Sequence, residues 1–219
     1  MGWYDEKAIA NYKEALVDFK LHSAVSSEVI EKYRTLVPLE LIEIWKEYGF
    51  GTFKNGLFKI INPDEYKEVL NDAYDNPKIK GKEGLLIPVF ATGMGDIITW
   101  QQSNPFKSSA RRFGHYNFAN RICDFKGDAL PIFLYWHTRL DKEFRKTQYS
   151  EAVEKYGTIA FDECFGYVPL LSLGGSESVE NLQKVKIREH IAIIAQMSGK
   201  LNWGKHSSTL SSRGNSPRQ

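Results

Sequence analysis

Apolar side chains in the first third of the chain recur at helical spacing, with charged residues between them. Residues 5–21 predict a long helix, because apolar positions three and four apart form a single face. A short helix is predicted near residues 27–33. Residues 38–49 predict a buried helix that begins at a proline and ends at a glycine, and residues 62–74 predict a helix capped by an asparagine. The apolar face of the first helix consists of Ile9, Tyr12, Leu16 and Phe19.

Two stretches have the pattern of paired strands. Residues 53–61 carry an Asn55-Gly56 pair between apolar runs, which is typical of a tight β-hairpin. Residues 86–102 contain two strand-like runs separated by GMGD at residues 93–96. Glycines followed by an acid could cradle a phosphate or hold a metal ion, but a phosphate loop requires a helix after the glycines. A strand follows here, so the pattern favours a hairpin turn with glycines at positive φ and places Asp96 in the turn or at the strand edge.

The second half of the chain is less regular. Residues 112–125 predict one or two strands, and the apolar run within residues 128–140 fits either a buried helix or a strand. Residues 147–157 predict a helix ended by a glycine, and Ile187, Ile191 and Ile194 predict a final amphipathic helix that carries His190. The predicted fold class is therefore α+β: an antiparallel sheet formed by the hairpins and covered by helices, with a smaller, mostly helical C-terminal part.

Composition limits the class of protein. The chain has 219 residues, of which 42% are hydrophobic, enough to bury the core of one large domain or two small ones. The start has no signal-peptide pattern and no window approaches about 18 apolar residues, so we expect a soluble, cytoplasmic protein without membrane contact. The two cysteines, Cys123 and Cys164, form no CxxC pair, which indicates a reducing compartment and argues against a zinc site.

The positive charge is concentrated at the end of the chain. Residues 199–219 hold four basic residues and no acid, which leaves 25 of the 29 basic residues against 27 acidic residues elsewhere. The Ser- and Gly-rich segment 204–219 predicts a flexible basic tail. The body of the chain lacks the broad basic surface that nucleic-acid binding requires, so we expect no direct contact with nucleic acid.

Catalysis has one candidate arrangement, in which Cys164 acts as a nucleophile with His137 or His190 brought near it by the fold. The histidines show no i, i+4 spacing and no local nucleophile motif. A cysteine among aromatic residues is more often a small buried hydrophobe. We therefore expect a protein that is not an enzyme and that binds no cofactor and no metal.

The order of several short motifs resembles a two-part family, the bacterial type VI secretion immunity proteins. The N-terminal part resembles the GAD-related domain, with a proline-initiated helix ending in Gly-Phe-Gly, a Gly-Leu strand, an Asn-Pro helix start and a Gly-Asp hairpin. The C-terminal part resembles the domain that follows it in these proteins. The elements that carry this second resemblance are Tyr156-Gly157, Asp162-Glu163, residues 166–169, residues 173–175 and Glu189-His190.

The resemblance implies a domain organisation and a function. It implies a GAD-related domain over residues 1–110, an immunity-type domain over residues 111–203 and the tail over residues 204–219. It also implies a cytoplasmic antidote that binds a cognate secreted toxin, a DNase by analogy with the family, in a one-to-one complex. A small-ligand-binding regulator or an enzyme on the same scaffold is the alternative.

An inhibitor of a nuclease is expected to contact it through acidic and aromatic residues. A DNase presents cations to the phosphate backbone, so an inhibitor can occlude the active site with carboxylates and aromatic anchors in place of DNA. The candidate contacts in predicted loops and turns are Asp72, Tyr74, Asp75, Asp96, Asp162, Glu163 and Phe165.

Overall fold

The computed structural model describes residues 3–75, 85–102, 111–135 and 137–202. The predicted flexible tail, residues 204–219, lies outside these ranges. The α-helices of the described residues are α1 (Trp3–Asn11), α2 (Ser27–Tyr33), α3 (Leu39–Glu47), α4 (Pro63–Ala73), α5 (Leu130–Tyr135), α6 (Asp141–Phe144), α7 (Lys146–Tyr156) and α8 (Ile187–Ser198). The helices predicted near residues 27–33, 38–49, 62–74, 147–157 and 187–194 are confirmed.

An antiparallel sheet of seven strands forms the centre of the molecule. Its strand order is β1-β2-β3-β5-β6-β7-β8, and each neighbouring pair is antiparallel. The α+β fold predicted from the hairpins is therefore confirmed. The strands of this sheet are β1 (Lys20–Ser23), β2 (Phe50–Phe53), β3 (Phe58–Ile60), β5 (Leu85–Thr92), β6 (Ile97–Gln102), β7 (Arg111–Asn117) and β8 (Ile122–Phe125), and β4 (Tyr74–Asp75) lies outside it.

Two smaller pairings complete the topology. In the C-terminal part, β9 (Glu163–Tyr167) pairs antiparallel with β10 (Leu182–Lys186). The two-residue strand β4 pairs in parallel with β11 (Leu201–Asn202) near the end of the described chain. Because β7 and β8 belong to the large sheet, that sheet continues beyond residue 110, and the C-terminal part packs against its turns.

Helices cover the sheet on both faces. Neighbouring residues of one strand alternate between the two faces, so Ile97 joins one apolar cluster while Ile98 joins the other. Helix α5 packs on the Ile98 side, where the Phe133 ring stacks on Phe90 and Phe113 with ring centroids 5.4 and 5.1 Å apart. Helices α4 and α8 pack against each other on the Ile97 side.

The first predicted helix is shorter than expected. Helix α1 ends at Asn11, a 3-10 turn covers residues 12–16, and the chain then enters the edge strand β1. Ile9, predicted on the buried face, is 47% exposed. The reason is tertiary: the Asp18 carboxylate accepts hydrogen bonds from the backbone N–H groups of Lys54 and Asn55, at 2.9 and 2.5 Å, which draws the end of the predicted helix to the β2–β3 turn.

Both predicted hairpin turns are confirmed, and the C-terminal part docks on them. Residues 54–56 all have positive φ, as does Gly95. Gly93 has another role, because a Cβ atom there would lie 2.3 Å from Cε2 of Tyr149 in α7. The Tyr149 hydroxyl group donates to the Asn55 carbonyl oxygen at 3.1 Å, and the Phe165 N–H donates to the Gly93 carbonyl oxygen at 2.7 Å. The glycine turns therefore permit close contact between the two parts of the chain.

The structure defines the secondary structure of the two segments in the second half of the chain that the sequence pattern left open. Residues 112–125 form the two strands β7 and β8, and the apolar run of residues 128–140 forms helix α5 followed by a 3-10 turn at His137–Arg139. None of the helices in the described ranges has the length and apolar character needed to cross a membrane.

Candidate functional site

Asp96 of the Gly-Asp turn is an interior residue and not a surface contact. It is fully buried, its carboxylate accepts from His115 Nε2 at 3.0 Å, and it forms an ion pair with Arg145. Burial disfavours the charged carboxylate, but attraction from Arg145 and the hydrogen bond from His115 outweigh it and hold the pKa of Asp96 below its usual value. The predicted role of Asp96 as a partner contact is corrected accordingly, because its charge is neutralised inside the fold.

Tyr74 and Phe165 are also buried, so their predicted role as partner anchors needs the same correction. Tyr74 is 7% exposed and packs edge-on against Tyr116, and Phe165 is fully buried beside Tyr149. Both residues belong to paired strands instead of loops. Tyr74 lies in β4, and Phe165 lies in β9 with its ring in the core.

The other acids stay at the surface in two regions. Asp72 is exposed and Asp75 is half-buried at the end of α4. Asp162 and Glu163 come together on one cation, because Lys186 Nζ lies 2.8 Å from Asp162 Oδ2 and 3.4 Å from Glu163 Oε1. Glu163 is the first residue of β9 instead of a loop residue.

Lys59 fixes the position of these two acids, and no sequence pattern indicated this role. The side chain of Lys59 in β3 is fully buried, and its Nζ atom donates to three carbonyl oxygens of the segment that carries the acids. The distances are 2.8 Å to Ala160, 2.9 Å to Phe161 and 2.5 Å to Glu163. A buried ammonium group is tolerated where its donors are satisfied in this way. The large sheet thereby holds the Asp162–Glu163 segment of the C-terminal part.

An apolar groove of about 570 Å³ lies next to this acidic pair. Large apolar side chains in the groove remain exposed to solvent, although such residues are usually buried. Lys186, the partner of Asp162 and Glu163, lines one edge, and Glu189 of α8 lines the same groove. The exposed apolar residues of the groove are Val168 at 39%, Leu173 at 53%, Ile193 at 49% and Met197 at 57%.

Helix α8 contributes two faces with different roles. Glu189, Ile193 and Met197 are four residues apart and therefore lie in one row, facing the groove. A second row, which includes Ile187, Ile191 and Ile194, is buried against the sheet. The predicted amphipathic stripe was the buried one, and the outward apolar row is the signal that sequence reasoning missed.

His190 forms part of the floor of the groove. A Cβ atom at Gly166 would lie 2.4 Å from His190 Nε2, so the imidazole rests directly on the backbone of β9. Burial lowers the pKa of His190 to about 4, which leaves the ring uncharged at neutral pH. The Gly-Tyr-Val-Pro motif at residues 166–169 and the Glu189-His190 motif are therefore in contact with each other.

The candidate catalytic residues are not assembled. Cys164 is fully buried beside Gly95, and burial raises the pKa of its thiol to about 12, so it stays protonated at neutral pH. His137 Nδ1 lies 3.1 Å from Glu143 Oε2, and His190 packs on Gly166. Within the described ranges, His, Cys, Asp and Glu side chains form no group of three or more suited to a metal ion.

An exposed apolar groove with a charged rim is the usual anatomy of a protein-binding surface. Residues 133–198, which contain the whole groove, match the family described as T6SS immunity protein Tdi1, C-terminal, and residues 6–109 match the GAD-like domain. The two matches occur in the order that the sequence motifs indicated, and they confirm the resemblance to type VI secretion immunity proteins with a GAD-like N-terminal domain.

Comparison with known proteins also supports the fold. The crystal structure of Atu4351 from Agrobacterium tumefaciens is similar, with a TM-score of 0.61 and 18% sequence identity. The likeness covers 84% of this chain and 88% of that chain, and at this identity it shows a shared fold. No curated protein matches the sequence.

Proposed function

We propose that the chain neutralises a cognate nuclease toxin, a DNase, by seating part of that toxin in the apolar groove between β9 and α8. The observation that carries this proposal is the exposed row of apolar side chains inside the immunity domain. A partner that covers Ile193 and Met197 removes this apolar surface from water, which favours association by roughly 25 cal/mol per Å².

The rim of the groove favours a basic partner. Asp162 and Glu163 share one ammonium group, that of Lys186, and Glu189 adds a third carboxylate to the lining of the groove. A nuclease that binds DNA carries a basic surface, so its approach to this rim is electrostatically favourable. Asp72 lies at the end of α4, which packs on α8, and we propose Asp72 and Asp75 as further contacts for the toxin.

The mode of inhibition that follows is occlusion of the active site in a one-to-one complex. Carboxylates of the rim take the place of the DNA phosphates, and the apolar groove supplies the affinity. Protection of the producing cell requires almost no free toxin, which corresponds to a dissociation constant near nanomolar, or about −12 kcal/mol. Binding takes place in the cytoplasm, before the toxin is secreted.

Titration of the purified full chain against the toxin encoded beside it tests this function. Calorimetry should give one binding site with a dissociation constant near nanomolar, and DNA cleavage by the toxin should stop at one equivalent. Absence of binding heat together with unprotected DNA would reject the immunity assignment for that toxin. Binding without any nuclease activity in the free toxin would retain the immunity function and reject the DNase.

A further inference from the structure

The apolar groove lies on a face of the β9–β10 hairpin. Gly166 in β9 faces His190 of α8, because a Cβ atom at Gly166 would lie 2.4 Å from His190 Nε2. Val185 in β10 pairs with Cys164, two residues before Gly166, so Val185 and Gly166 share that face. Val185 and His190 both line the groove. A sheet face presents side chains, whereas the N–H and C=O groups of a strand point along the sheet toward its edges. The hairpin therefore meets an occupant of the groove with side chains.

Residues 168–173 form another wall of the groove, and backbone groups of this wall are paired within the chain. The Val168 N–H donates to the Asn181 carbonyl oxygen at 2.8 Å, and the Leu170 carbonyl oxygen accepts from two N–H groups that follow it, at 2.9 and 3.0 Å. Pro169 has no N–H group, and its carbonyl oxygen accepts from the Asn181 side chain at 2.9 Å. An extended segment in the groove would bury its own N–H and C=O groups without gaining these partners, which is costly.

An α-helix suits this groove, because a helix satisfies its backbone hydrogen bonds internally and presents only side chains. The groove side of α8 is the row Glu189, Ile193 and Met197. At about 1.5 Å per residue, this row is about 12 Å long, or roughly two helical turns. A partner helix of at least two turns covers the row with apolar side chains three and four residues apart.

The charge of the groove is concentrated at the end where α8 begins. Glu189 is exposed there and forms no ion pair within the described part of the chain. Asp162 and Glu163 share Lys186, so these four side chains carry three negative charges and one positive charge. Among the described residues that line the groove, those other than Lys186 and Glu189 are uncharged at neutral pH. A basic group on a partner therefore finds its countercharge at this end and not at the Met197 end.

We propose that the toxin element seated in the groove is an amphipathic α-helix of at least two turns with a lysine or arginine at one end, an inference that rests on the proposed function. The apolar row of this helix covers Ile193 and Met197, and its basic side chain pairs with Glu189. The apolar contacts supply affinity, and the charge sets direction. A helix reversed end for end would place its basic residue beside Met197, where the lining is apolar.

Photo-crosslinking from the groove identifies the toxin segment. The full chain with Met197→p-benzoylphenylalanine is irradiated with the toxin encoded beside it, and mass spectrometry of the digest identifies the crosslinked peptide. The same probe at Val17, which is 87% exposed on the N-terminal segment, is the control. Leu173, another groove residue, takes the probe if the position-197 variant does not bind. We expect crosslinks from the groove to one toxin segment. A synthetic peptide of that segment should add helical circular dichroism when it is mixed with the full chain, beyond the sum of the two separate spectra.

Charge exchange tests the pairing with Glu189. Glu189→Lys should weaken the affinity for the toxin about threefold to tenfold, because a repulsion replaces an attraction. Changing the basic residue of the crosslinked segment to Glu should weaken binding to the wild-type chain to a similar extent and should restore binding to Glu189→Lys. Glu154→Lys, at an exposed position of α7, makes the same change in net charge outside the groove. It should leave the affinity nearly unchanged and should not restore binding of the charge-reversed toxin.

Four outcomes would overturn this inference while neutralisation of the toxin stands. They are a crosslinked segment that gains no helical signal; crosslinks to a second copy of this chain, which would make the groove an interface between copies; tight toxin binding without crosslinks from either groove position; and no recovery of affinity on charge exchange. Absence of binding between the wild-type chain and the toxin in calorimetry is a different result, because it rejects the proposed function and this inference with it.

Discussion

The Lys59 ammonium group donates a 2.5 Å hydrogen bond to the Glu163 carbonyl oxygen, across 104 positions of sequence. Lys59 belongs to the large sheet and lies within the GAD-like match, and Glu163 begins the strand that borders the apolar groove. The sheet thus holds the acidic rim in place through a buried cation. This contact explains why a polar residue occupies the middle of an otherwise apolar strand.

Replacing Lys59 with Met should destabilise the protein. Three carbonyl oxygens lose their donor, and we expect the free energy of unfolding to fall by about 2–4 kcal/mol in urea denaturation. Lys67→Met is the control, because Lys67 pairs with Asp64 at an exposed site and should cost under about 1 kcal/mol. Equal effects of the two substitutions would mean that Lys59 does not hold the rim.

Replacing Asp96 with Asn should cost more than a surface acid does. The substitution leaves the Arg145 guanidinium, 12% exposed, without its countercharge, a loss of about 3–5 kcal/mol. Glu180→Gln, which breaks the exposed pair with Lys155, should leave the stability nearly unchanged. Unfolding curves of both variants provide the comparison. A loss below about 1 kcal/mol for Asp96→Asn would contradict the buried ion pair.

Acid should destabilise the fold through His190. Its folded pKa of about 4 lies below the unfolded value of 6.5, so the unfolded chain binds more protons between these pH values and stability falls as pH falls from 6.5 to 4. Urea denaturation at pH 6.5 and 4.5 should show a loss about 2–3 kcal/mol larger in wild type than in His190→Gln. Equal losses in the two proteins would mean that His190 titrates normally.

Local patterns predicted much of the fold. The Asn62 side chain accepts from the Asp64 N–H at 3.1 Å, as the capping pattern indicated, and Gly157 ends α7 with a positive φ of 78°. These features depend on residues within one turn of each other. Caps and turns are therefore readable from sequence, as are the amphipathic helices.

Long-range partners could not be read in the same way. Asp96 looked like a turn residue because its partners, His115 and Arg145, lie 19 and 49 positions away. Lys59 likewise finds its acceptors about 100 positions later. The sequence pattern did not predict the groove. The outward apolar row of α8 can be recognised only when the inward row is known to be buried.

Reversing the rim charges should slow the association of the toxin. The double substitution Asp162→Lys and Glu163→Lys replaces attraction by repulsion toward a basic partner, and the effect should weaken with salt, since screening acts over about 8 Å at physiological ionic strength. Stopped-flow association rates measure this effect. Glu28→Lys with Glu31→Lys on α2 makes the same change in net charge at another exposed site. Equal slowing by the two double substitutions would mean that the rim is not part of the toxin interface.

The central claim, that the groove between β9 and α8 seats the toxin, is tested most directly by the toxin affinity of Ile193→Asp. Ile193 is 49% exposed and lines the groove, whereas Val17, the control as Val17→Asp, is 87% exposed on the N-terminal segment. A buried carboxylate should weaken binding at least about 100-fold, or roughly 3 kcal/mol. We expect this loss in calorimetric titration of Ile193→Asp and nearly unchanged affinity for Val17→Asp. A folded Ile193→Asp protein that binds the toxin as tightly as wild type would contradict the account.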